Sequence, residues 1–156
     1  MLVLYSNTEM ARLEFSMNLP SHAEKLMNLA IDFESFPQYF PHLIKSVKIL
    51  EKKEHETTTE EIFTPSTFLK HEIKQQSVHA KINTNELETR IILGPFKGTT
   101  IKTVYEKHDS GTKISVLADL KIALQYRILS TPIKKSYKQF LTGLLFKMNT
   151  RAIESS

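Results

Sequence analysis

Apolar and polar residues alternate most cleanly near the end of the chain. Ile114, Val116, Ala118, Leu120, Ile122 and Leu124 are separated by Lys113, Ser115, Asp119 and Lys121 among others. A period of two places the apolar set on one face of a strand. The same alternation appears earlier, where Leu13, Phe15, Met17 and Leu19 alternate with Arg12, Glu14, Ser16 and Asn18. The period then changes. Ile133, Tyr137, Phe140, Leu141, Leu144, Leu145, Met148 and Ala152 recur at spacings of three and four, which is the stripe of an amphipathic helix over 132–153. Such a helix is about 33 Å long at ~1.5 Å per residue. Thr131 is positioned to cap it, and Pro132 suits its first turn.

Between these elements the pattern is shorter-ranged. Pro20 stops the first strand, and Ser21 with Glu24 matches a capping box. The helix it opens has Ala23, Leu26, Met27, Ala30 and Ile31 on its apolar side and runs to about Asp32. Residues 33–42 hold four aromatics and two prolines four apart, Pro37 and Pro41. The prolines exclude one continuous helix, and the aromatics require burial, so a short helical plug against the sheet is expected. Strands are expected over 43–53, 57–64, 68–79, 82–93 and 98–107, before the strong strand that begins after the Asp109-Ser110-Gly111 turn. Gly94-Pro95 marks a further turn. The order is strand, two short helices, about six strands, long helix. Short connections make the sheet antiparallel. The expected fold class is therefore α+β, a curved antiparallel sheet of about seven strands wrapped on the C-terminal helix, with an apolar pocket between them.

With 156 residues and 40% hydrophobic content, the chain suits one domain with one core. Residues 1–9 are expected to be a flexible N-terminal arm, and 10–156 the single domain. The absence of cysteine excludes disulfides and thiol catalysis and points to a cytoplasmic home. No apolar run has the ~20 residues that span a bilayer. Net charge is +4, and its distribution is uneven. Lys121, Arg127, Lys134, Lys135, Lys138, Lys147 and Arg151 fall between Leu120 and Ile153 with no acid among them, whereas Glu51, Glu54, Glu56, Glu60 and Glu61 cluster in 51–61. A solvated helix face accounts for the basic set. A sharper reading is an anionic partner, either a membrane surface touched peripherally or RNA.

Candidate chemistry is sparse. No nucleophile elbow, phosphate-binding loop or dinucleotide fingerprint is present. The six histidines form no i,i+4 pair, so neither a metal site nor a cofactor is expected, and no catalytic residue is assigned. His71 and His79 read as surface or core residues. The candidate ligand-binding residues are Phe36, Phe40, Phe63, Phe68, Arg90, Phe96, Tyr105, Tyr137, Phe140, Leu141, Leu144 and Met148. Arg90 is the one charge among them. Tyr105 and Tyr137 offer hydroxyls to a polar head. An ordinary ligand pocket of about 500 Å³, left empty and apolar, forfeits about 12 kcal/mol. A pocket here is therefore expected to be smaller, wet or filled.

Two motifs carry a family resemblance. Asp32-Phe33-Glu34-Ser35-Phe36-Pro37-Gln38-Tyr39-Phe40-Pro41 resembles the D-x-x-x-Y/F-P-x-F-x-P segment of START-like helix-grip proteins, in their coenzyme-Q-binding, polyketide cyclase/dehydrase-like branch. Gly94-Pro95-Phe96-Lys97 is similar to the Gly-Pro-Phe turn before the sixth strand of that branch. The resemblance covers about residues 10–153. Two tryptophans often found in the family are absent, with His42 and Thr103 in their places. What the resemblance implies is binding of a hydrophobic small molecule, a lipid or an isoprenoid quinone, between sheet and helix. Its alternatives are a polyketide cyclase/aromatase-like activity and a ribosome- or RNA-associated role.

Overall fold

Seven strands form one antiparallel sheet in the order β1-β7-β6-β5-β4-β3-β2. They are β1 (Thr8–Leu19), β2 (Ile44–Lys52), β3 (Glu56–Phe63), β4 (Ile73–Asn83), β5 (Glu86–Leu93), β6 (Thr100–His108) and β7 (Gly111–Ala123). Helix α1 (Ala23–Ala30) and a 3-10 segment (Phe33–Gln38) separate β1 from β2, and helix α2 (Ser130–Glu154) ends the fold. The structure is a computed structural model that describes residues 8–65 and 70–155. Phe68 lies outside the described residues, and so does 1–7 of the arm expected over 1–9. Thr8 and Glu9 begin β1.

The sheet is open, with β1 and β2 at its edges, and the first strand in sequence pairs with the last. β1 pairs with β7 along its whole length, from Thr8 opposite Ala123 to Leu19 opposite Thr112. Because their periods match, Leu13, Ile114, Val116, Ala118, Leu120 and Ile122 all face inward and are buried. α2 lies on that face. Ile133, Leu144, Leu145, Met148 and Ala152 are buried along its inner side, and the core runs on through Leu26, Met27 and Ala30 of α1. A helix gripped by a curved antiparallel sheet, with the short helices at one end, is the expected fold class.

Several local expectations are corrected. The capping box does not form: His22 precedes α1 and no side chain caps it. Ser21 is occupied elsewhere. Its N–H donates to Asn149 Oδ1 at 3.2 Å and its hydroxyl to the Asn149 carbonyl at 3.4 Å, so a tertiary contact displaces the local cap. Ile31, expected on the buried side of α1, is exposed. Thr131 does not cap α2 either. The chain enters through a 3-10 segment, Leu124–Leu129, which places Thr131 inside the first turn. Ile82 belongs to β4 rather than to the following strand. The reversal falls at Thr84-Asn85, where Asn83 Oδ1 accepts the Asn85 N–H at 3.0 Å.

Candidate functional site

Alternation on three neighbouring strands builds a polar strip on the concave face. Thr59, Glu61 and Phe63 of β3 share one parity, as do Gln75, Ser77 and His79 of β4 and Leu87, Thr89 and Ile91 of β5. Pairing sets Glu61 opposite Gln75, Thr59 opposite Ser77 and His79 opposite Thr89. Opposite residues on one face of an antiparallel pair touch, so these side chains form one patch.

Above the patch is a cavity of about 140 Å³. α2 supplies Tyr137, Phe140, Leu141, Leu144, Leu145 and Met148 as its roof. Phe33 and Phe36 of the 3-10 segment and Ala30 of α1 close one side. Val47, Phe63, Ile91, Ile101 and Val116 add apolar floor around Glu61, Gln75, Ser77, His79, Thr89, Thr103 and Tyr105. The hollow is much smaller than the 500 Å³ of a typical pocket assumed from sequence. At ~24 cal/mol per Å³ it costs about 3 kcal/mol empty, an amount a domain tolerates.

His79 is locked in place. Its Nε2 lies 2.8 Å from Thr59 Oγ1 and its Nδ1 2.8 Å from Thr89 Oγ1. A neutral imidazole has one N–H, so one threonine accepts and the other donates. Phe33 stacks on the ring with centroids 4.1 Å apart. Burial pushes the imidazole down to about 4 from its ordinary 6.5, so it is neutral at pH 7.

Glu61 is the opposite case. Burial raises its carboxyl to about 7, an effect partly offset by the nearby polar groups of Ser77, Thr59 and Gln75. These contacts are loose: neither Glu61 Oε2 nor Ser77 Oγ has a well-formed hydrogen bond, although both atoms are buried. Unpartnered buried acceptors are costly, of order 1–3 kcal/mol each. Tyr105 and Tyr137 are pushed above the ordinary phenol range by burial, with the charge at Glu61 adding to the effect on Tyr137. Both phenols stay protonated at neutral pH.

Of the residues singled out by sequence, Phe36, Phe63, Tyr105, Tyr137, Phe140, Leu141, Leu144 and Met148 line the cavity. Phe40 and Phe96 stand behind it as supports. Phe40 packs on Phe140 at 5.1 Å and lies beneath Lys147; Phe96 meets Tyr137 edge-on at 5.8 Å. Arg90 is exposed. It falls between Thr89 and Ile91, so parity turns it to the outer face, away from the cavity. Glu61, Gln75 and Ser77 were not foreseen, and His79 entered the sequence reading only as a scattered histidine. The available signal was that Glu61 shares parity with Phe63. The basic set is partly engaged: Lys147 Nζ donates to the Tyr39 carbonyl at 2.5 Å, and Arg151 lies over the Tyr39 ring.

The fold is similar to that of several solved structures. A START superfamily protein from Mycobacterium smegmatis matches with a TM-score of 0.76 at 16% identity, covering 93% of this chain and 99% of that one. The Zhui aromatase/cyclase from Streptomyces sp. R1128 matches with a TM-score of 0.74 at 13% identity, over 92% and 96%. Norcoclaurine synthase from Thalictrum flavum, solved with dopamine and hydroxybenzaldehyde, matches with a TM-score of 0.71 at 12% identity, over 100% and 98%. No family model matches the sequence, and no curated protein sequence matches it. At these identities the likeness is one of fold.

Proposed function

We propose that the chain binds a small hydrophobic molecule in the cavity between the sheet and α2. The observation that carries this reading is an apolar hollow whose floor holds buried polar atoms without a well-formed hydrogen bond at Glu61 and Ser77. A core packed only for stability fills such space and pairs such groups. The volume suits about one ring, since an apolar cavity of ~150 Å³ accommodates benzene. A whole isoprenoid quinone or a long lipid is too large for the hollow as it stands. Neighbours of the same fold described as a START superfamily protein and as an enzyme complexed with small aromatic molecules are in keeping with this reading. Native mass spectrometry of the protein purified from its own cells tests it. A bound mass of a few hundred daltons or less, lost on organic extraction and regained on adding the extract back, is the expected result. Protein that neither carries nor takes up any apolar compound contradicts it.

A second reading, cyclase-like catalysis, is favoured by one observation. The Glu61 carboxyl lines a mostly apolar cavity, and burial raises it to about 7, where it can both take and give a proton. Under this reading Glu61→Gln abolishes turnover of a bound substrate while leaving its binding measurable; under simple carriage the bound molecule is recovered chemically unchanged.

A further inference from the structure

The polar patch under the cavity is unevenly satisfied. Both nitrogens of His79 are engaged by threonine hydroxyls, so the imidazole has nothing left to offer a ligand. Glu61 Oε2 and Ser77 Oγ are each buried without a well-formed hydrogen bond, and both residues face the hollow. Ser77 is 1% exposed and Glu61 9%. They stand diagonally on β3 and β4, since Glu61 pairs with Gln75 and Ser77 with Thr59. Diagonal neighbours on one face are within reach of a single head group.

Resting on the binding reading above, we infer that Glu61 and Ser77 form a head-group subsite selecting an apolar ligand that bears an N–H or O–H donor. The chemistry follows from what each atom lacks. A carboxylate oxygen only accepts, so it calls for a donor; a serine hydroxyl serves either way. An ammonium donates to both. A hydroxyl donates to Glu61 and accepts from Ser77. A ketone, aldehyde or quinone carbonyl only accepts; where Glu61 is ionised, above about pH 7, it satisfies Ser77 and leaves the carboxylate bare. A carboxylate or phosphate head is disfavoured, because no lysine or arginine is among the described residues lining the cavity and Glu61 repels it. A site built to hydrogen-bond a donor rejects the analogue without one far more strongly than an apolar wall rejects a change of shape.

The other titratable groups lining the cavity leave Glu61 in control of pH dependence. His79 on β4 is neutral above about pH 4. Tyr105 on β6 and Tyr137 on α2 are held protonated by burial. A donor head favours ionised Glu61, so its affinity rises as pH rises through about 7.

Isothermal titration calorimetry with toluene, benzyl alcohol, benzylamine and benzaldehyde tests the inference, because the four share one ring and differ in the head. At pH 8, benzyl alcohol and benzylamine are expected to bind at least ~10-fold more tightly than toluene, a difference of one hydrogen-bonded head, and benzaldehyde, held by Ser77 alone, less tightly than either donor head. Benzylamine affinity is expected to fall about 10-fold or more at pH 5.5. Glu61→Gln should remove that pH dependence and the benzylamine preference while toluene still binds; Ser77→Ala should weaken both donor heads and leave the pH dependence. Equal affinity for all four, or benzaldehyde the tightest, overturns the subsite but leaves the cavity reading intact. Failure of every compound to bind, toluene included, overturns both.

Discussion

The ring of Phe33 lies nearly parallel to the imidazole of His79, with planes 22° apart and centroids 4.1 Å apart. One residue begins the 3-10 segment and the other sits mid-strand on β4. The contact therefore ties the aromatic plug to the polar patch on the cavity floor. It also covers one face of the imidazole and so adds to the burial that keeps His79 neutral.

Phe33→Ala is expected to cost about 3–5 kcal/mol, as for a buried aromatic truncated in a core. Water reaching the imidazole should also return the His79 pKa from about 4 toward 6.5. Urea denaturation checks the first effect and NMR titration of the His79 ring the second. An unchanged His79 titration would separate the plug from the patch.

Glu61 and His79 are expected to oppose each other in the pH dependence of stability. His79 is depressed to about 4 when folded against 6.5. The unfolded chain thus binds more protons between those values, and stability from this group rises with pH across about 4 to 6.5. Glu61 is raised to about 7 against 4.5. Here the folded chain binds the extra proton, and stability falls as pH rises across about 4.5 to 7. Each is worth about 3 kcal/mol at full effect. The native chain should therefore be nearly flat across the shared window. Glu61→Gln should rise by about 3 kcal/mol between pH 4 and 7 and exceed the native chain at pH 8. Denaturation series across pH reveal this, and a Glu61→Gln profile parallel to the native one rules it out.

Asn149 couples α2 to the β1–α1 junction through two hydrogen bonds with Ser21. Asn149→Leu leaves the buried Ser21 N–H unpaired, with an expected loss of about 1–3 kcal/mol. Amide exchange should accelerate at the start of α1 as well as around position 149. A stability loss without faster exchange in α1 would confine the role of Asn149 to its own helix.

Gly111 opens β7 against the end of β1. A Cβ there would stand 2.3 Å from the Leu19 carbonyl oxygen, which is backbone and has little room to yield. Gly111→Ala is expected to destabilise by more than about 2 kcal/mol, in the range of backbone strain in a packed site. Thermal melts of the variant provide the check; a shift of less than a degree or two would show that the β1–β7 ladder gives way there.

Much of this architecture was legible because burial and period coincide. The five alternating apolar residues from Ile114 to Ile122 and the stripe from Ile133 to Ala152 each specify one face, and pairing with Leu13 to Leu19 follows; Leu124, expected to continue the strand, begins the 3-10 segment instead. What was not legible depends on distant partners. Ser21 and Glu24 carry a sound local cap signal, which Asn149, 128 residues away in sequence, overrides. Glu61 read as one of five acids balancing the basic end, because a strand of alternating Thr, Glu and Ile gives little sign of which parity is buried. Arg90 failed for the same reason in reverse. Its flanks, Glu88 and Ile92, share its outward parity, and only the pairing of β5 with β4 and β6 decides the matter.

The central claim, that the hollow beneath α2 admits an apolar guest, is tested most directly by methyl NMR during titration with benzene. The account predicts saturable shifts concentrated at Leu87, Ile91, Ile101, Leu144 and Met148, which line the cavity. Shifts absent there, or found only at the exposed Ile128 and Ile153, would contradict it.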